Sequence, residues 1–244
     1  MDGMSDKLSP VDISTLQERV YQRLREALYQ GQFAAGETVT IRGLAAALGT
    51  SAMPVREALQ RLVAERALVQ LPSRSVKVAP FTPEMFSELI RIRITIEGMA
   101  AGRAALNATP ALADKLEMIN KEMKAAIAAG FSDGTGEVLD ANKRFHFTLY
   151  EAANMPQLLE IISGMWLRTG PYLRAAYRSS GASYPFSKGT LIHDRVIEAV
   201  RNRDQRRASN GLALDIWATA RWFRTNHMAE INYSGDTPTA RIAL

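Results

Sequence analysis

The chain has 244 residues, of which 47% are hydrophobic and 23% charged, enough for one large or two modest globular domains. The absence of cysteine excludes disulfides, thiolate metal ligands and cysteine nucleophiles, and agrees with a cytoplasmic location. No apolar run approaches the roughly 18 residues of a membrane span, and the polar first ten residues do not resemble a signal peptide, so we expect no membrane partner. The net charge of +5 favours polyanionic partners such as DNA.

The first part of the chain, residues 13–80, predicts three helices followed by a β-hairpin. Gly49 suits a sharp turn between the second and third helices, and Ser51 suits the N-cap of the third. This order of elements is that of a winged helix-turn-helix, preceded by a flexible tail over residues 1–12. The predicted helices are 16–28, 41–48 and 52–64, and the two strands lie within 67–71 and 76–78.

The third helix is the element that would enter a DNA major groove, because in this motif the recognition helix reads bases through its N-terminal end. Arg56 lies there and can bind guanine with two hydrogen bonds. Arg74 stands at the hairpin tip, where it can reach a minor groove. The alternative is that these arginines form an ordinary solvated surface. The predicted DNA contacts are Arg42, Thr50, Ser51, Ala52, Met53, Val55, Arg56, Arg61 and Arg74.

The rest of the chain, residues 83–232, shows only helical periodicity and ends in a predicted tail at 233–244. Thr82 and Thr109 are each followed by proline, which is typical of an N-cap before the first helical residue. We expect one helix to break near Gly170, where proline follows. The fold class is therefore mainly α, a winged helix-turn-helix joined to an all-α bundle. The predicted helices of the bundle are 83–107, 110–129, 136–153, 156–180, 187–202 and 204–229.

Four polar residues interrupt the apolar faces of these helices: Asn142, His146, His193 and Asp215. Buried polar groups need partners, and Asn142 and His146 are one turn apart, so both can reach one point. Two imidazoles, a carboxylate and an amide oxygen suit Zn²⁺, Ni²⁺ or Mn²⁺, with open positions for a carboxylate ligand. A hydrogen-bonded network without metal is the alternative.

Arg93 and Glu97 are also one turn apart, on the first helix of the bundle. One interpretation is an intrahelical ion pair. The other is that Arg93 lines a cavity and pairs with an acidic effector. The sequence leaves both open.

The N-terminal pattern resembles the GntR family of bacterial regulators. The residues that carry the resemblance run from Leu44 through Gly49 and Ser51 to Pro54-Val-Arg-Glu-Ala-Leu59 and Leu62. The resemblance implies a homodimer that binds a palindromic operator. Ala52 stands where the family often has Arg, and Ser75 where its wing often has Gly, so the DNA sequence read can differ from that of other members.

The C-terminal pattern resembles the FCD effector domain of the FadR-type GntR subfamily. Many such domains hold a metal with Asp or Asn followed by three His, and Asn142, His146 and His193 match the first three positions. Asp215 stands where the third His is usual, which implies a harder and weaker site. The matching residues are 91–105, Asn142, Phe145, His146, His193, Ile197, Ala199, Asp204 and Ala208.

Together these observations predict a transcriptional repressor and not an enzyme. A small organic acid would bind to Arg93 and the four polar residues, either directly or through a metal that these residues hold. Its binding would lower the affinity of a homodimer for its operator. Two alternatives stay open. One is a helical-bundle metalloenzyme with a nucleic-acid-binding appendage, and the other is a DNA-binding dimer that needs no effector.

Overall fold

The computed structural model describes residues 14–73, 75–80, 82–129, 135–179 and 186–231, so the predicted tails lie outside the described residues. The described part is mainly helical, as predicted, with one small sheet. Within it, no helix combines the length and apolarity that crossing a membrane requires.

The N-terminal part has the predicted winged helix-turn-helix architecture, with one additional strand. This strand, β1, pairs antiparallel with the second strand of the hairpin, so the sheet order is β1-β3-β2. Its two residues are too few to show an alternating pattern in the sequence. The elements are α1 Ser14–Tyr29, β1 Thr38–Val39, α2 Ile41–Leu48, α3 Ala52–Ala64, β2 Leu68–Gln70 and β3 Val76–Val78.

The turn between α2 and α3 sets the direction of the recognition helix. Gly49 adopts φ 61°, a left-handed conformation that favours glycine, and its N–H bonds to carbonyls of the last turn of α2. Thr40 caps α2 by accepting a hydrogen bond from the Gly43 N–H. Ser51 occupies the N-cap position of α3, but its side chain makes no capping hydrogen bond and is exposed.

The C-terminal part is an all-helical bundle in which α4 and α9 pack closely. Gly98 and Gly102 permit this approach, because a Cβ at either would lie 3.1–3.2 Å from a side chain of α9. Thr82 and Thr109 cap α4 and α5 as the sequence predicts. The elements are α4 Pro83–Leu106, α5 Pro110–Ala128, α6 Thr135–Ala152, α7 Pro156–Ser179, α8 Phe186–Arg201 and α9 Gln205–Ile231.

The predicted break near Gly170 is wrong, because α7 continues through Pro171. A proline in a helix removes one backbone hydrogen bond, and packing on both sides of α7 offsets that loss. Tyr172 and Trp166 are buried in the core of the bundle, whereas Leu167 is buried in the core of the N-terminal part. The helix α7 therefore packs against both cores.

The two parts meet where α7 crosses the end of α1. Gly170 lies against this end so closely that an added Cβ would be 2.0 Å from the carbonyl oxygen of Leu28. The Arg174 guanidinium donates to the Gln30 carbonyl oxygen at 3.3 Å. An ion pair between Lys143 and Glu26 adds a second connection through α6.

Candidate effector and DNA-binding sites

Three residues from three helices of the bundle converge on one point. The Nε2 atom of His146 on α6 lies 3.2 Å from Oδ2 of Asp215 on α9, and Nε2 of His193 on α8 lies 3.6 Å from the same oxygen. One potential ligand atom from each residue lies within 4.8 Å of those from the other two. All three side chains are buried, as their positions on apolar faces predict.

Second partners fix the orientation of both imidazoles. The Nδ1 atom of His146 is 2.8 Å from the Tyr150 hydroxyl, and Nδ1 of His193 is 3.3 Å from Oδ1 of Asn120. The Phe145 ring stacks on the His193 ring with centroids 3.8 Å apart. Both Nε2 atoms are therefore directed at Asp215, and metal-binding histidines are commonly oriented in this way through their other nitrogen.

The electrostatics of this cluster favour ligands that are ready for a cation. Burial lowers the pKa of His146, although Asp215 opposes the shift, and this favours the neutral form of the imidazole. Burial raises the pKa of Asp215, but the neighbouring His193 and His146 outweigh that effect and hold it below its usual range. Nε2 of His193 is buried without a hydrogen-bond partner. Such a nitrogen is costly unless something accepts its electron pair, so the donor set fits a divalent metal.

Asn142 and Arg93 line the same cavity as His146 and Asp215. The sequence thus predicted five residues, of which four line the cavity and the fifth, His193, completes the His–Asp cluster behind it. The cavity has a volume of about 40 Å³, which is room for roughly three water molecules. Most of the remaining wall is formed by apolar side chains, which include Phe86, Ile90, Trp166, Tyr172, Leu173, Phe186, Ile216 and Phe223.

Arg93 is both paired and in the cavity wall, so the two interpretations of the sequence coexist. Its Nε donates to Oε1 of Glu97 at 2.6 Å and its Nη2 to Oε2 at 3.2 Å, and both residues are buried. Burial opposes the charge of Arg93, but Glu97 outweighs it and raises the pKa of the guanidinium. Tyr150 and Trp166 also donate to Oε2 of Glu97. A continuous polar network therefore runs from the His–Asp cluster to Arg93.

Sequence reasoning did not identify Asn120, Tyr150 and Trp166 as part of this network. Asn120 carried a usable signal, because it interrupts the apolar stripe of α5 between Leu116 and Met123. Tyr150 and Trp166 look like ordinary core aromatics, and only their hydroxyl and N–H reveal a polar role.

The predicted DNA-contacting residues separate into two groups. Arg42 and Arg56 are exposed, as are Ser51, Ala52 and Met53, whereas Thr50 is half-buried. Arg56 also borders a groove between α3 and the hairpin. These side chains surround the N-terminal end of α3, so the predicted recognition surface is available to a partner.

The structure contradicts one of the predicted contacts. Val55 is 0% exposed and belongs to the core of the N-terminal part, because it lies on the inner face of α3. Arg61 is exposed, but it interacts with α1, because Nη1 donates to Oε2 of Glu18 at 2.7 Å and the guanidinium lies 3.5 Å from the Tyr21 ring centroid. Arg74 lies outside the described residues.

Comparison with known families decides what these two parts are. The model of the gntR family of bacterial regulatory proteins matches residues 16–78, and the FCD domain model matches residues 88–215. The chain belongs to the GntR family and carries an FCD domain. It is thus a transcriptional regulator with a DNA-binding winged helix-turn-helix.

Individual relatives agree with this assignment. The HTH-type transcriptional regulator McbR of Escherichia coli is 32% identical over 161 residues, 66% of this chain and 72% of that protein. A probable D-xylose utilization operon transcriptional repressor of Paenarthrobacter nicotinovorans is 27% identical over 213 residues, 87% and 89% of the two chains. These relatives are named as regulators and not as enzymes, which argues against the metalloenzyme alternative.

Solved structures resemble this GntR regulator over most of its length. The structure of E. coli McbR/YncC matches with a TM-score of 0.80 and 28% identity, covering 86% of this chain and 97% of that one. A putative GntR regulator from Rhodococcus sp. RHA1 matches with a TM-score of 0.70 and 21% identity, covering 87% and 99%. The second likeness supports the fold alone.

Proposed function

We propose that this GntR regulator is a repressor that binds a palindromic operator as a homodimer in the cytoplasm and is released by a small organic acid. The observation that carries the proposal is the convergence of His146, His193 and Asp215 beside a cavity that also contains Arg93. A polar cluster at one end of an apolar cavity is typical of a small-molecule site. The named repressor among the relatives supports the sign of the response.

His146, His193 and Asp215 would hold a divalent metal, with Asn142 beside them in the cavity. The bound metal would supply a positive charge and open positions for an oxygen ligand. Asn120 and Tyr150 hold the two imidazoles in position through Nδ1. Zn²⁺, Ni²⁺ and Mn²⁺ all accept this mixed nitrogen and oxygen set.

The charges around the cavity explain why metal and acid would act together. Arg93 is already paired with Glu97, so the carboxylate of Asp215 is an unneutralised negative charge in the wall that an acid would meet in the metal-free cavity. A carboxylate would be repelled by this charge, whereas a divalent metal reverses it. We therefore infer that acid binding depends on the metal and that the apolar wall contacts the hydrocarbon part of the ligand.

The helix α7 connects this cavity to the DNA-binding part. Trp166, Thr169 and Tyr172 line the cavity, whereas Leu167 and Gly170 contact the N-terminal part. Because the cavity is only about 40 Å³, a metabolite must displace its walls. Displacement of α7 would move the contact with α1 and change the spacing of the two reading heads.

The first experiment measures DNA binding by fluorescence anisotropy with the promoter region of the protein's own gene. Arg56→Ala should weaken binding about 10- to 100-fold, because a base contact is lost. Arg61→Ala is a matched control on the same helix, since Glu18 and Tyr21 already engage that side chain. It should change the affinity less than about threefold. Equal binding by the wild type and Arg56→Ala at moderate salt would reject the DNA-binding surface.

The second experiment tests the metal and the acid. Chelation should lower the melting temperature of the wild type, because a metal that binds only the folded state stabilises it. His193→Ala should abolish this difference. Candidate carboxylic acids should then weaken operator binding of the metal-loaded wild type but not of His193→Ala. If no acid changes DNA affinity with metal present, the sensing proposal fails while the DNA-binding result stands.

A further inference from the structure

Two groups of side chains line different parts of the cavity beside the His–Asp cluster. The first group is polar. The Arg93 guanidinium carbon lies 5.1 Å from the Trp166 ring centroid, and the His146 ring centroid is also 5.1 Å from that of Trp166. Asp215 joins this group through its contact with His146. We call Arg93, His146 and Asp215 the polar layer, because the groups that would hold a metal or a carboxylate lie together here.

The second group consists of three aromatic rings. The ring centroids of Phe86 and Phe223 are 5.2 Å apart, and that of Tyr172 lies 5.9 Å from Phe86 and 5.5 Å from Phe223. All three side chains are buried and line the cavity. We call Phe86, Tyr172 and Phe223 the aromatic layer. Separations of about 4.5–7 Å are those at which aromatic rings attract one another beyond the burial of area.

The helices place the two layers at opposite ends of the cavity. On α4, Phe86 precedes Arg93 by seven residues, and on α9, Phe223 follows Asp215 by eight. These two helices run antiparallel through their close contact, so both offsets point the same way. At a rise of about 1.5 Å per residue, the layers are separated by about 10–12 Å along the helix axes.

The charged side chains of the cavity wall belong to the polar layer. Among the described residues that line the cavity, no charged side chain lies in the aromatic layer, and Ile90, Ile216 and Ala220 separate the two layers. The hydroxyl of Thr169 is also in the wall, but it donates to carbonyl oxygens of its own helix. A second carboxylate on a ligand would find no counter-charge there, and burial of an unpaired charge is costly.

We propose that the effector is an aromatic monocarboxylate, with its carboxylate in the polar layer and its ring in the aromatic layer. This inference rests on the proposed function, because it assigns a ligand class to the same effector site. The cavity volume of about 40 Å³ favours a ring over an alkyl chain. A flat and rigid ring separates the walls least, and it loses less conformational entropy on binding. Contacts with Phe86 and Phe223 then add an attraction that a saturated ring lacks.

Isothermal titration calorimetry of the full chain with equimolar Zn²⁺ tests the ligand class. The aromatic probes are benzoate, phenylacetate and 3-phenylpropanoate. Each is compared with the cyclohexyl acid of the same chain length, and all are compared with the dicarboxylates succinate, glutarate and adipate. The tightest aromatic acid should bind at least about tenfold more tightly than its cyclohexyl counterpart. It should bind at least about 100-fold more tightly than any of the dicarboxylates.

Two results would overturn the ligand class and leave the sensing function intact. One is a cyclohexyl acid that binds as tightly as its aromatic counterpart, and the other is a dicarboxylate that binds as tightly as the aromatic acids. If no acid of the panel binds, the ligand class and the sensing function are both rejected. These titrations contain no DNA, so the DNA-binding surface keeps its own test.

Substitutions in the aromatic layer test the position of the ring. Phe223→Leu keeps an apolar side chain but removes an aromatic contact. It should weaken binding of the tightest aromatic acid about tenfold and that of its cyclohexyl counterpart less than about threefold. Phe33→Leu is the matched control, because Phe33 packs against the core of the N-terminal part, and it should change neither constant. Phe86→Leu is the second variant should Phe223→Leu fail to fold, as judged by circular dichroism.

The affinity for Zn²⁺ alone separates the role of the ring from damage to the metal site. It should be the same in the wild type and in Phe223→Leu, because that residue lies two helical turns from Asp215. A loss confined to the aromatic acid supports the proposal. An equal loss for the aromatic and cyclohexyl acids, or no loss for either, places the ring elsewhere and overturns it.

Discussion

The two parts of the molecule differ in where their functional charged side chains lie, at the surface in one and in the interior in the other. In the DNA-binding part, Arg42 and Arg56 are exposed, so water solvates them and the fold does not depend on them. In the FCD domain, Arg93, Glu97 and Asp215 are buried, and each depends on its neighbours. Charge in the first part is available to a polyanion, whereas charge in the second is part of the structure. Substitutions should therefore affect binding in one part and stability in the other.

The largest effect on stability is expected for Glu97→Ala. Glu97 accepts hydrogen bonds from Arg93, Tyr150 and Trp166, and its removal leaves a buried guanidinium without its counter-charge. Loss of one partner of a buried pair costs about 3–5 kcal/mol. Urea denaturation would measure this loss.

Glu122→Ala serves as the control for that experiment. Glu122 also pairs with an arginine, Arg144, but both side chains are more than 40% exposed. Its removal should cost less than about 1 kcal/mol. Equal losses for the two variants would contradict the distinction between buried and exposed charge.

A smaller loss is expected for Gly170→Ala, at the boundary between the two parts. The new Cβ would clash with the Leu28 carbonyl oxygen, and such overpacking costs about 1–3 kcal/mol. Thermal denaturation and trypsin sensitivity of the segment between the parts would measure it. Gly164→Ala on the same helix has no atom within 4 Å of the new Cβ and should be neutral or stabilising by up to about 1 kcal/mol. Equal melting temperatures and equal trypsin sensitivity of the two variants would mean that the close contact between α7 and α1 does not contribute to stability.

The smallest effect on stability is expected for Arg42→Ala, because Arg42 is exposed on the DNA-binding part. The free energy of unfolding should change by less than about 0.5 kcal/mol, as is usual for surface substitutions. If Arg42 contacts a phosphate, the slope of log affinity against log salt should fall by about one. Anisotropy titrations at several salt concentrations would measure this slope. An unchanged slope would remove Arg42 from the DNA-binding surface.

The sequence predicted most of the helices because their apolar stripes and caps are local signals, as Thr82 and Thr109 illustrate. It also predicted that His146, His193 and Asp215 face inward, since polar residues interrupt apolar stripes there. Val55 was misassigned because position on a recognition helix does not reveal which face is buried in the core. The continuation of α7 through Pro171 depends on packing against both cores, and no local sequence pattern records that packing.

The contact at Gly170 has a consequence for how such regulators can be recombined. Because its hydrogen atom faces the end of α1, the boundary between the two parts admits no larger side chain at this position. A chimera that joins this reading head to another FCD domain would need glycine at the matching position, or a shorter end of α1. Without either change, the new FCD domain would pack against the DNA-binding part at a different angle. The chimera would then bind DNA without responding to its ligand.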